Sequence, residues 1–171
     1  MTTKPFDPKL DPKVTLAQAQ EILREHAMKG KGAVCPCCRQ VVQIDRKSIT
    51  SSMAYALMVL FREKTLEWVN VAKYLDDMQK LGSLSKGGDW ARLCYWGLLK
   101  EQDGKSAKKG YYQLTEKGKL FASGQVKVPK TALFYDGRLL GFAPGDTSIQ
   151  ECLGDLDHAS LLEGKFLQFA V

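Results

Sequence analysis

The chain has 171 residues, 44% of them hydrophobic and 26% charged, with a formal net charge of +6. This composition rules out a wholly disordered or fibrous chain, and the length suits one sizeable core with an appended module rather than two full domains. Charge is uneven: residues 1–50 hold nine Lys/Arg against five Asp/Glu, residues 51–130 fourteen against eight, and residues 131–171 two against six, so the body favours a polyanionic partner, with a merely solvated basic surface as the plainer alternative.

The longest apolar run, MAYALMVLF at 53–61, falls far short of the roughly 20 residues that span a bilayer. The opening MTTKPFDPKLDPK has no apolar secretory core. The expectation is a cytoplasmic protein with reduced thiols and no membrane partner.

Residues 1–14 are proline-rich without periodicity and predict an extended arm. Thr15 and Gln18 form a capping box for a first helix that stops before Gly30, with Leu16, Ala19, Ile22, Leu23 and Ala27 on its apolar face. A cysteine turn and a short strand carrying Val41, Val42 and Ile44 complete a segment over 15–47.

Cys35-Pro36-Cys37-Cys38 contains a Cys-x-x-Cys pair, the turn by which half of a zinc ribbon presents two thiolates to one ion. Zn2+ is therefore the candidate cofactor, with Cys35 and Cys38 as ligands. A closed site needs four, and no second pair exists. Cys37, His26, Cys94, Cys152 and His158 are left to complete it, His26 and Cys37 being the named candidates, although the side chains of adjacent Cys37 and Cys38 diverge. A second subunit is another source. A metal-free turn and a redox pair are the other readings; a thioredoxin-type pair would open a helix after a strand, whereas this one precedes a strand. Cys94 reads as a buried small hydrophobe. Cys152 and His158 lack an orienting group for nucleophilic catalysis, so no enzyme is expected.

Over 48–130, Ser48 caps a helix to about residue 64 with Met53, Ala56, Leu57, Leu60 and Phe61 on one face. A second helix is predicted over 69–80 through Val71, Ala72, Leu75 and Met78, then a Gly/Ser-rich break. A third aligns Trp90, Leu93, Cys94, Gly97 and Leu98, extended by Leu99. A charged turn over 101–109, a strand over 111–115, a helical turn ended by Gly124 and a return strand through Val126 and Val128 make the wing of a winged helix-turn-helix.

In such a domain the third helix enters the major groove while the wing lies along phosphates. The candidate nucleic-acid-binding residues are Lys105, Lys108, Lys109 and Tyr111 on the wing, with Lys86 and Arg92 flanking the start of the third helix. Off its core face that helix offers Asp89, Arg92, Tyr95, Trp96 and Lys100, with no Asn or Gln for a base edge. This favours modest sequence reading, or a protein in place of DNA. Trp96 is either an exposed protein anchor or packed beneath the C-terminal hairpin.

Residues 131–171 read as a small acidic extension: a hairpin turned at Asp136-Gly137, short helices over 148–153 and 156–162, and a last strand over 166–169.

The segment Tyr112-Gln113-Leu114-Thr115-Glu116-Lys117-Gly118 resembles the tyrosine, leucine, threonine, lysine, glycine pattern of winged-helix transcriptional regulators. More broadly, CPCC, SSMAYAL, GDWARLCYWGLL, GYYQLTEKG and VPKTALFYDGRLLGF in succession resemble a family of small bacteriophage proteins with a CPxC turn and no assigned activity. That resemblance matches Cys35 and Cys38, leaves Cys37 at the variable position, and implies a phage origin and residence in the host cytoplasm. The expected fold is α+β, a winged-helix core with an N-terminal helix and cysteine turn and a C-terminal hairpin and helix extension. The expected function is binding of double-stranded DNA as a regulatory protein; the alternative is a non-enzymatic factor that binds a host or defence protein. A homodimer would suit paired half-sites.

Overall fold

The computed structural model describes residues 7, 13–29, 32–63, 67–77, 88–104 and 108–165. The chain is a mixed α+β protein of short helices and small antiparallel sheets. Its contacts divide it into two units, Met1–Lys47 with Ala132–Phe142, and Ser48–Thr131 with Ala143–Val171. No helix among the described residues is long and apolar enough to cross a membrane.

In the first unit, α1 (Leu16–Met28) begins at the predicted capping box: Gln18 N–H donates to Thr15 Oγ1 at 3.4 Å, while Thr15 N–H donates to Gln18 Oε1 at 2.9 Å. Ala19 and Ala27 are its buried residues, and Leu16, predicted to face inward, is exposed. Arg46 Nη2 satisfies the Met28 carbonyl beyond the last turn, at 2.9 Å. Two short strands follow, β1 (Ala33–Val34) and β2 (Val41–Val42), paired around the cysteine turn. β3 (Asp45–Ser48) then joins β8 (Thr131–Tyr135) and β9 (Arg138–Phe142) in a sheet ordered β3-β8-β9. The β8–β9 hairpin turns at Asp136 and Gly137, both at positive φ (48° and 71°), as an Asp-Gly two-residue turn requires.

The second unit is built on α2 (Ser51–Glu63), in which every residue from Met53 to Leu60 is buried. A helix apolar all round must be enclosed on all sides. It packs against α4 (Glu116–Ala122), α5 (Ile149–Leu153), α6 (His158–Leu162) and a 3-10 helix at Gly88–Trp96. Each fully buried leucine on α2 contributes on the order of 2 kcal/mol. After α2 the chain forms β4 (Val69–Asn70), α3 (Val71–Asp77), the 3-10 helix, β5 (Leu99–Glu101) and β6 (Tyr111–Leu114), with the antiparallel sheet ordered β4-β6-β5. β7 (Val128–Pro129) pairs with β10 (Asp146–Thr147).

Several expectations need correction. The predicted second helix starts two residues late because Val69 and Asn70 pair with Tyr112 and Tyr111 as a strand; its end and Met78 lie outside the described residues. The predicted third helix is a 3-10 helix: Trp90, Leu93 and Trp96 are three apart and all buried, the repeat that a three-residue turn places on one face. It closes at Gly97 (φ 70°), whose N–H reaches Cys94 O (2.9 Å) while Leu98 N–H reaches Leu93 O (3.1 Å), a Schellman cap. Leu99 therefore opens a strand instead of lengthening the helix. Tyr111–Leu114 pairs with β5 across the 102–110 turn, and Val128 pairs with Thr147, so the predicted return strand at 126–128 is no part of that sheet. Trp96 is buried, its Nε1–H donating to Pro129 O at 2.7 Å.

α5 and α6 stand where predicted, capped by Ser148 with Glu151 and by Asp157. The segment expected to be one acidic extension is shared between the units, its hairpin in the first and residues from Ala143 onward in the second. The predicted strand over 166–169 lies outside the described residues.

Candidate nucleic-acid interface and cysteine turn

The 102–110 turn joins β5 to β6 at one end of the three-stranded sheet. Lys108 and Lys109 are exposed there, and Lys108 Nζ lies 5.6 Å from the centre of the Tyr111 ring. Gln102 Oε1 accepts the Lys108 N–H at 3.1 Å, and Gln102 N–H donates to Tyr111 O at 2.8 Å. Lys105 and Lys86 lie outside the described residues.

Strand pairing adds Trp68, and it moves Lys100 from the outer face of the predicted third helix to β5. Lys100 sits opposite Gln113, and Lys100 Nζ lies 5.2 Å from the centre of the Trp68 ring, which is 38% exposed. Alternation along the strands sends Val69, Leu99, Tyr112 and Leu114 inward and puts Lys100, Tyr111 and Gln113 on the opposite face. Trp90 meets Tyr112 edge-on beneath the sheet, with ring centres 4.9 Å apart. The outer face thus carries cations against aromatic rings, a surface suited to phosphates and to flat π systems.

The 3-10 helix is a poorer reader. With a three-residue repeat, Asp89, Arg92 and Tyr95 fall on one edge. Arg92 is the cation on that edge, and it pairs with Asp89 at 2.9 Å. Both side chains are about half exposed, so the pair is worth at most about 1 kcal/mol and is easily exchanged for a phosphate.

The Leu-Thr-Glu-Lys-Gly segment that carries the regulator-like resemblance clamps the end of this helix. Thr115 caps α4 by accepting the Gly118 N–H (2.9 Å), and its hydroxyl lies 2.6 Å from Gly97 O and 3.1 Å from Leu98 O. Lys117 Nζ donates to Trp96 O at 2.9 Å. A Cβ on Gly118 would overlap the Leu98 carbonyl oxygen and press on Leu114 Cδ1 at 2.9 Å, which leaves room only for glycine. The motif fixes where β5 leaves the helix.

In the first unit, the cysteine turn links β1 to β2. Cys35 N–H donates to Gln40 O (2.7 Å) and Arg39 N–H to Cys35 O (2.8 Å), with Arg39 in the left-handed region at φ 64°. The backbone N–H groups of Cys38 and then Cys37 point at the Cys35 sulfur and hold its thiol below the ordinary range. Cys37 and Cys38 are exposed and Cys35 is partly so; none is in a disulfide. Arg39 forms a two-pronged ion pair with Asp7, at 2.9 and 2.7 Å. His26 uses Nδ1 on the Ile22 carbonyl within α1, at 2.9 Å. Among the described residues no group of three or more His, Cys, Asp or Glu is spaced to hold a metal.

The second unit occupies its own thiols and histidine. Burial pushes the Cys94 thiol up to about 11 and also raises that of Cys152, which lies 3.5 Å from Thr147 Oγ1. Both ring nitrogens of His158 are engaged, Nε2 with Ala122 O (2.8 Å) and Nδ1 with Gln150 Nε2 (3.2 Å).

Comparison with protein-family models, with curated proteins and with solved structures gives no match to this chain.

Proposed function

We propose that the second unit contains a winged-helix core and that the protein binds double-stranded DNA through its lysine-bearing turn, as a phage-type regulatory protein in the host cytoplasm. The observation that carries this is the order helix, strand, helix, 3-10 helix, strand, turn, strand, with the sheet arranged first-third-second and the basic turn between its last two strands. In a winged helix that turn is the wing, and cations on it meet phosphates. Lys108, Lys109 and Lys100 supply charge, Tyr111 and Trp68 supply aromatic surface, and Arg92 adds one contact beside the groove. With so few base-reading groups on the 3-10 helix, affinity comes mainly from the backbone and sequence discrimination is small.

Binding to a random-sequence duplex, followed by fluorescence anisotropy at several salt concentrations, tests the proposal. Affinity falls steeply with salt, and Lys108→Glu with Lys109→Glu flattens the log–log slope by about two, since each neutralised phosphate contributes about 0.9. Absence of salt-sensitive affinity for any duplex removes the reading. The second reading is a non-enzymatic factor that binds a host or defence protein, favoured by the exposed Tyr95 and Trp68. It predicts capture of a host protein that survives nuclease treatment and is indifferent to the two lysine changes.

A further inference from the structure

We propose that the cysteine turn is half of a zinc site, in which Cys35 and Cys38 bind one Zn2+ together with the same two residues of a second copy of this chain. The turn has the build of a metal knuckle. Cys35 leaves β1 and Cys38 comes three residues later around a proline-containing turn. The left-handed Arg39 then returns the chain to β2 through the Arg39 N–H to Cys35 O bond.

Among the described residues of one chain there is no other half. Zinc in a closed site takes four ligands in a tetrahedron. The residues outside the described set contain no Cys or His, and the described ones bring no third His, Cys, Asp or Glu into a metal-sized group with the pair. Cys94 and Cys152 are partly buried within the second unit, and His158 has both ring nitrogens engaged. A tetrahedron divides into two identical pairs of ligands related by a two-fold axis through the ion. That is the symmetry by which two copies of one chain most often associate. Cys37 stays outside the site as the intervening residue of the Cys-x-x-Cys spacing, whose two ends are the ligands. Binding releases the thiol protons of all four ligands to solvent and involves no redox step.

Anaerobic titration of the reduced chain with Co2+, then Zn2+, followed by absorbance and by light-scattering mass, tests this. The expected result is a thiolate-to-cobalt charge-transfer band with tetrahedral d–d bands, saturating at one ion per two chains, displaced by Zn2+ and accompanied by a doubling of mass. Cys35→Ser and Cys38→Ser each abolish the bands and the doubling while far-UV circular dichroism stays unchanged, and Cys37→Ser retains both. Saturation at one ion per monomeric chain, bands that survive Cys35→Ser, or no charge-transfer band at all would each overturn the shared site. Because the readouts are metal spectra and mass, they are independent of DNA binding.

Discussion

Replacing Thr115 by valine keeps the shape of the side chain and removes one hydroxyl that serves two elements at once. As N-cap it accepts the Gly118 N–H at 2.9 Å, and losing such a cap costs about 1 kcal/mol. As donor it lies 2.6 Å from Gly97 O, and withdrawing that partner at the end of the 3-10 helix costs about 1 kcal/mol more; Leu98 O still receives the Thr115 backbone N–H. The expected loss is therefore about 2 kcal/mol, or about 4–8 °C in Tm for a chain of this size. Urea unfolding followed by tryptophan emission measures it, because Trp68, Trp90 and Trp96 all belong to the second unit and report on that unit alone. The midpoint should fall with an unchanged slope. Thr115→Ser, which keeps the hydroxyl, should stay within about 0.5 kcal/mol of the parent. If valine costs less than about 0.5 kcal/mol, or serine costs as much as valine, the clamp is not what holds this junction.

Three further outcomes follow, two within the second unit and one that compares thiols of both units. Trp96→Phe withdraws the indole donor from Pro129 O and should cost about 2 kcal/mol in the same urea experiment, the usual range for a buried acceptor left alone being about 1–3. Alkylation of the native chain near neutral pH, read by peptide mass mapping, should modify Cys35 well before Cys94 or Cys152, since its thiol is held low and theirs are raised; equal rates would contradict the assigned environments. The raised Cys94 thiol also sets a sign for stability. Its contribution is intact below the free-thiol pKa and declines as pH climbs toward about 11, so alkaline unfolding should ease in Cys94→Ala.

What the sequence disclosed were the features decided locally. The Thr15–Gln18 box, the Asp136-Gly137 turn and the two short helices near 148–153 and 156–162 each involve a few neighbouring residues, and each stands in the structure close to where it was read. The misreadings share a different cause, pairing between residues far apart. Val69 becomes a strand because Tyr112 lies beside it, and Val128 joins Thr147 in place of the Tyr111–Leu114 strand. The 3-10 helix was ambiguous for another reason: Trp90, Leu93 and Trp96 satisfy a three-residue repeat as well as one face of a longer turn. At the candidate interface, Lys108, Lys109 and Tyr111 were legible as a basic turn. Trp68 was not, and Lys100 was read on the third helix instead of beside it, since only the register across β4, β6 and β5 brings the two together.

The first unit is discontinuous in the chain, and this sets an order of assembly. β3 has no partner strand until β8 emerges from the ribosome, after the whole stretch Ser48–Thr131 has been made. At about 5–20 residues per second the N-terminal segment waits for several seconds as an unfinished sheet. The second unit has by then acquired α2, the 3-10 helix and the strands on either side of the lysine turn, and needs α5 and α6 to close. The cysteine turn, closed by the pairing of β1 with β2, is thus synthesised early, while the hairpin that completes the β3 sheet arrives late.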